Sequence, residues 1–169
     1  MSEFLSSYAR SIKNEGGALH DKDGFTYCGV LQSAHKDSPL WGLLSAIKPL
    51  SEYERGEVVD SAEIAGIVKS IYKADYWDKL KGDAILSQPI AEFMFDFMLT
   101  SWNMPIKHVQ RELALADDGI MGSYTLAALN EADEDTLLPK LIDARIEFYK
   151  SLNDPTNIKG WIARCETFR

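Results

Sequence analysis

The chain is poor in most of what would mark a disulfide scaffold, a membrane protein or a nucleic-acid binder. Its 169 residues include two cysteines, Cys28 and Cys165. Neither sits in a Cys-x-x-Cys pair, and His20, His35 and His108 stand at no ligand spacing from them. That argues against a metal centre and predicts two free thiols. Positive charge is scarce: 18 lysines and arginines face 26 aspartates and glutamates, a formal net charge of −8. This is the wrong sign for a general nucleic-acid or anionic-membrane surface, so neither is expected as a partner. Apolar runs are short, and no segment reads as inserting into a bilayer. The opening Met1-Ser2-Glu3-Phe4-Leu5-Ser6-Ser7 has neither a basic segment nor an apolar one, so no secretory signal is legible. The expectation is synthesis in the cytoplasm, with a separate route required for any action outside.

What remains is ordinary globular material, 46% hydrophobic and 26% charged. That is enough for a self-sufficient core and too apolar for a disordered chain. Periodicity is helical nearly throughout, and the expected class is mostly α. Phe4, Leu5, Tyr8 and Ile12 form a stripe that stops at Gly16-Gly17. Residues 18–29 read as a loop or short hairpin with Asp21, Asp23 and Gly24 as turn formers. Asp60 with Glu63 reads as a capping box ahead of Ile64, Ile67, Val68, Ile71 and Tyr72. Ser87 with Pro89 opens the most apolar helix, from Ile90 to Trp102, expected to be the central buried one. Pro105 starts another, Ser123 is expected to cap a short one, Leu137 to Tyr149 mark a long one, and Asn157 begins the last.

Chemistry is most visible at Glu15. A carboxylate at a helix C-terminus faces the negative end of the dipole, which disfavours its charged form. Gly16 and Gly17 let the backbone turn away and leave the side chain open to a cleft. A carboxyl held neutral in a cleft is what a general acid for glycosidic cleavage requires. Asp21 and Thr26 follow in the next loop. A second carboxylate, or a hydroxyl that holds water opposite the acid, is the other half of that chemistry. The plain alternative is that Asp21 and Asp23 only form a turn. Tyr76 and Trp77 have the flat apolar faces that stack on sugar rings, or pack in a core. Asp96, inside the most apolar helix, needs partners: it either lines a cleft or holds the structure together.

Asn14-Glu15-Gly16-Gly17, then Asp21, then Thr26-Tyr27-Cys28-Gly29-Val30, resembles the E-G-G-Y-x-x-D-P…G-x-T-x-x-G-I opening of glycoside hydrolase family 108. Tyr76-Trp77 with Gly82-Asp83 is similar to that family's Y-W-x-x-x-x-G-D. Phe95-Asp96 with Thr100-Ser101 is similar to F-D-x-x-x-N-S-G. Asp118-Gly119, Gly122, Thr125-Leu126 and Gly160-Trp161 resemble the predicted peptidoglycan-binding unit that follows. The match runs in order over residues 8–165. Ala18 stands where the motif has Tyr, Thr100 where it has Asn, Trp102 where it has Gly, and Leu31 where it has Thr.

The resemblance implies a helical, lysozyme-like region over 1–104 and a C-terminal helical unit over 105–169, packed as one compact domain. It implies cleavage of the β-1,4 bond between N-acetylmuramic acid and N-acetylglucosamine in peptidoglycan glycan strands, with no cofactor and no metal. Glu15 falls on the family's catalytic glutamate, with Asp21 and Thr26 as its candidate partners. Tyr27, Tyr76, Trp77, Asp96 and Ser101 are the candidate substrate contacts. The family is common in phage endolysins and is also met as secretion activators. Action would therefore be at the periplasm or cell wall, with a holin or a secretion system as the export route. Two other readings stay open: a wall-binding or secretion-associated module without turnover, and a lytic transglycosylase using the same acid.

Overall fold

The computed structural model describes residues 2–169 and is mostly helical. Among the described residues, eight α-helices are joined by short turns and one small antiparallel sheet. They are α1 Phe4–Ser11, α2 Pro39–Ile47, α3 Ala62–Tyr72, α4 Gln88–Ser101, α5 Met104–Glu112, α6 Ser123–Glu131, α7 Glu134–Ser151 and α8 Ile158–Glu166. The strands are β1 Ala18–Asp21, β2 Gly24–Tyr27 and β3 Val30–Leu31, in the order β1-β2-β3. Among the described residues no helix is long and apolar enough to cross a membrane. Two compact units result. One is Tyr8–Asp75; the other joins the residues up to Ser7 to Tyr76–Arg169.

In the unit Tyr8–Asp75 the expected loop is a three-stranded sheet. Ala18 pairs with Tyr27, Leu19 with Thr26, His20 with Phe25 and Asp21 with Gly24. Period-two alternation puts Ala18, Phe25 and Tyr27 on the buried face and Leu19, Asp21 and Thr26 on the other. Helix α2 has no counterpart among the expected elements, because Gly42 and Ser45 interrupt its apolar stripe. Its start was nonetheless written in the chain: Ser38 caps Leu40 with Pro39 in the first turn. Ahead of α3 the cap is Ser61, whose hydroxyl accepts from the Ile64 amide, rather than Asp60. On α1 the buried positions are Phe4, Ser7 and Ser11, while Leu5 is 61% exposed. The apolar stripe read from sequence is therefore offset by one position.

In the other unit α4 is the central helix, as expected. Every residue from Ile90 to Met98 is buried, and Ser87 caps Ile90. Its neighbours are α5 and α7, and α8 packs on α7. Gly122, not Ser123, occupies the cap position of α6. The turn before it is organised by one buried amide, Gln110. The Gln110 Nε2 donates to Asp118 Oδ1 at 2.7 Å and to the Ile120 carbonyl at 3.1 Å, with Thr125 Oγ1 at 3.3 Å. Its Oε1 accepts from the Gly119 amide at 2.9 Å. Gly119 has φ +74, and a Cβ there would lie 2.6 Å from Asn103 Nδ2. The Asp-Gly…Gly…Thr pattern is thus satisfied internally, around Gln110.

Burial also traps a charge cluster. Asp96 and Arg145 are 2% and 0% exposed at their side chains and pair at 2.8 Å. Arg164, from α8, donates Nη2 to Asp96 Oδ1 at 2.7 Å and Nε to both carboxylate oxygens at 2.9 Å. Arg145 lies over the rings of Phe93, Phe97 and Tyr149 and donates Nε to the Tyr149 hydroxyl at 3.0 Å. Removing one partner of such a pair strands the other charges in the core. Asp96→Asn should therefore cost about 3–5 kcal/mol of stability in urea unfolding. A loss under about 1 kcal/mol would show that the cluster is not what holds α4, α7 and α8 together.

His108, on α5, is 8% exposed between Phe97 and Phe148, and its Nε2 has no hydrogen-bond partner. Burial, aided by the Arg111 charge, lowers its pKa to about 4. The unfolded chain takes up this proton near pH 6.5, before the folded protein does. The stability tied to a neutral His108 is thus complete above about pH 6.5 and is lost as pH falls towards 4, to a total on the order of 3 kcal/mol. His108→Phe should flatten the stability–pH curve in that window, measured by denaturation at pH 7, 5.5 and 4.5.

Candidate active site

Helix α1 runs into a tight 3₁₀ turn, Ile12–Asn14, and Glu15 closes it, donating its amide to the Ile12 carbonyl at 3.0 Å. Each of the next two glycines has a separate reason. Gly16 holds φ +65, which swings the chain out of the helix, with open space around it. Gly17 is required by close approach: a Cβ there would fall inside van der Waals contact of the Gly56 and Glu57 carbonyls. The contact is part of a short ladder, in which Ala18 donates to Glu57 O at 2.9 Å and Gly56 donates to Ala18 O at 2.7 Å. Glu57 is anchored in turn by Lys48, 2.8 Å away. That hydrogen bond, with one from the Glu54 amide, lowers the Glu57 pKa.

The result is a cavity of about 240 Å³ lined by Asn14, Glu15, Gly16, Gly17, Leu19 and Arg55, among others. Glu15 is half-buried. Its carboxylate reaches the β2–β3 turn, since a Cβ on Gly29 would sit 3.2 Å from Glu15 Oε2. Gly29, at φ +78, has no room for a side chain because the Tyr72 hydroxyl occupies that place. Tyr72 donates this hydroxyl to the Cys28 carbonyl at 2.9 Å and packs edge-on against Tyr8 at 5.5 Å. Burial pushes the Tyr8 hydroxyl up to about 12, with the Cys28 thiol adding to the effect. Burial raises the Cys28 thiol as well, which keeps it protonated and a poor nucleophile at neutral pH. Both cysteines are free. The neighbourhood of the Glu15 carboxylate is thus aromatic and half dry, with the Arg55 cation in the wall of the same cavity.

The residues singled out in the sequence are divided between the two units. Glu15, Asp21, Thr26 and Tyr27 belong to the unit Tyr8–Asp75; Tyr76, Trp77, Asp96 and Ser101 belong to the other. Asp21 is exposed and accepts from the Asp23 amide at 2.8 Å, the geometry of an Asx turn. Thr26 is half-buried and shares the outer face of the sheet with Asp21. Tyr27 is 1% exposed, and its hydroxyl accepts from the Val59 amide at 2.8 Å. Trp77 is fully buried and donates its indole N–H to Asp83 Oδ1 at 2.7 Å. Asp96 has both oxygens occupied by guanidinium groups. Tyr76 is half-buried with its ring 6.1 Å from that of Trp102, and Ser101 is half-buried beside Thr100. Arg55 was missed in the sequence. Its only local signal is the Arg55-Gly56 turn, with Gly56 at φ +81.

A helical chain with a short antiparallel sheet, and a glutamate set by glycines into a cavity at the end of its first helix, defines a lysozyme-like protein. Residues 8–101 match the family model described as Glycosyl hydrolase 108, and residues 104–166 match the one described as Predicted Peptidoglycan domain. The chain belongs to the Glycosyl hydrolase 108 family. Among solved structures it is similar to Brucella abortus SagA, at 26% identity and a TM-score of 0.71, over 98% of this chain and 90% of that one. A comparison with curated proteins finds no match.

The two glycines after Glu15 should respond differently to alanine. Gly16→Ala meets only backbone strain, about 1 kcal/mol. Gly17→Ala must in addition push the 56–57 segment away and should cost clearly more. Urea unfolding of both variants checks the order, and equal losses would mean that the ladder to Glu57 is not tight.

Proposed function

We propose that the chain is a peptidoglycan hydrolase that cleaves the β-1,4 bond between N-acetylmuramic acid and N-acetylglucosamine, with Glu15 as general acid. The observation that carries this reading is the seat of Glu15: half-buried, in a cavity, against Gly29 and near aromatic side chains, within the segment matched by the glycoside hydrolase model. In this reading the Glu15 carboxyl gives its proton to the glycosidic oxygen as the bond to the anomeric carbon breaks. A water molecule adds at that carbon, and its proton leaves to a base. Asp21 and Thr26, on one face of the sheet, are the residues available to hold that water. Arg55 puts a cation in the same cavity, suited to the carboxylates that peptidoglycan carries. The wall is the place of action this implies, reached through a holin or a secretion system.

The test is Glu15→Gln, which keeps the shape and a hydrogen-bond donor but has no catalytic proton. Turnover of purified sacculi should fall by about 10²–10⁴-fold with the melting temperature little changed. Asp21→Asn and Thr26→Ala, assayed alongside, identify the water-holding partner as whichever loses turnover without losing stability. An active Glu15→Gln protein would sink the assignment. A wild-type protein that binds sacculi and releases no muropeptides would favour the wall-binding reading, and a 1,6-anhydro product would favour transglycosylation.

A further inference from the structure

Helix α4 ends in a turn whose shape and sequence disagree. Trp102 has φ 47 and ψ −119, and Asn103 has φ −79 and ψ 2. These are the angles of a type II′ turn, whose first central position is a glycine position. A tryptophan there carries backbone strain that a glycine would not. Packing does not account for it, because Trp102 is 53% exposed. The indole is nevertheless held in place. Tyr76 meets it edge-on, with ring centroids 6.1 Å apart and planes at 78°. The Lys79 ammonium lies 4.4 Å from the indole centroid. Trp102 also falls between the two matched segments, 8–101 and 104–166, so neither family model covers it.

We infer that Trp102, Tyr76 and Lys79 form a glycan-binding platform, with Trp102 stacking on a pyranose ring and Lys79 pairing with a carboxylate of the muramyl or peptide part of the same strand. The inference takes peptidoglycan as the ligand but does not need Glu15 to be catalytic. The chemistry fits the class: an exposed aromatic plate binds the apolar face of a sugar, and an adjacent cation suits an anionic strand over a neutral one. The Tyr76 edge and the Lys79 contact keep the indole in one orientation, so little side-chain freedom is lost on binding. A strained, exposed and oriented tryptophan in place of glycine is what such a role leaves behind.

The experiment measures binding of the full chain to purified sacculi and to neutral chitin oligomers, in a Glu15→Gln background that removes turnover from the readout. Trp102→Gly should weaken sacculus binding about tenfold per folded molecule while raising the melting temperature by roughly 2–6 °C, as the turn strain is released. Trp102→Phe should retain most of the binding. Lys79→Gln should weaken binding to sacculi a few-fold and binding to chitin oligomers by a smaller factor, since it removes the carboxylate pairing as well as a contact that orients the indole. A Trp102→Gly protein that binds sacculi as tightly as its parent overturns the proposal, as does one whose only change is a lower melting temperature. Failure of the hydrolase reading shows separately, as absent turnover in the Glu15-intact protein that still binds sacculi through Trp102.

Discussion

A carboxylate clamped between two guanidinium groups in an apolar core is the constraint on which the unit from Tyr76 onward depends. Burying Asp96 in the middle of α4 is tolerable only if every lone pair is met, and Arg145 and Arg164 meet them from α7 and α8. The cost of burying Arg145 is offset by aromatic faces, since its guanidinium lies over Phe93, Phe97 and Tyr149. Satisfying Arg145 reaches further. Its Nη2 stands 3.4 Å from Thr100 Oγ1, which in turn shares a 2.6 Å hydrogen bond with the Tyr149 hydroxyl. The last turn of α4 is pinned by this chain of contacts. The strained turn at Trp102 therefore begins from a fixed point rather than from a frayed helix end.

The unit Tyr8–Asp75 solves a different problem with different means. Here backbone meets backbone, and glycine rather than ion pairing is the device. Gly17 admits the Gly56–Glu57 segment, Gly29 admits the Tyr72 hydroxyl, and Gly16 turns the chain so that Glu15 stays at the cavity. Helix end, sheet edge and cavity wall are locked by four backbone groups of Ala18, Gly56 and Glu57. Glu15 is thus carried by rigid surroundings, which is what the proposed role of proton donor would need.

The two family segments differ in what their motifs record. Around Glu15 the motif residues surround a cavity. Around Asp118 they surround a glutamine: Asp118, Gly119 and Thr125 converge on Gln110, and the pattern is accounted for by turn geometry and a buried amide. A motif marks a demanding local structure in both cases, and at Glu15 the demand includes a cavity of about 240 Å³.

Local chemistry determined much of this protein before any folding. Helical periodicity, Ser87 ahead of Pro89, and the glycines after Glu15 were each sufficient to place an element, because caps, apolar stripes and left-handed turns depend on near neighbours. The order of the Glu15, Asp96 and Asp118 motifs likewise carried the family. Tertiary structure decided the rest. Tyr8 or Ser7, Asp60 or Ser61, and Ser123 or Gly122 are choices one residue apart that only long-range packing settles. Tyr27, Trp77 and Asp96 have side chains suited equally to a cleft or a core, and burial put them in the core because each found a hydrogen-bond partner there. Arg55 joins Glu15 across forty residues, and Tyr76 and Lys79 join Trp102 across more than twenty. No local pattern encodes such meetings, since they arise from where helices and loops return, and the strain at Trp102 exists only in the folded chain.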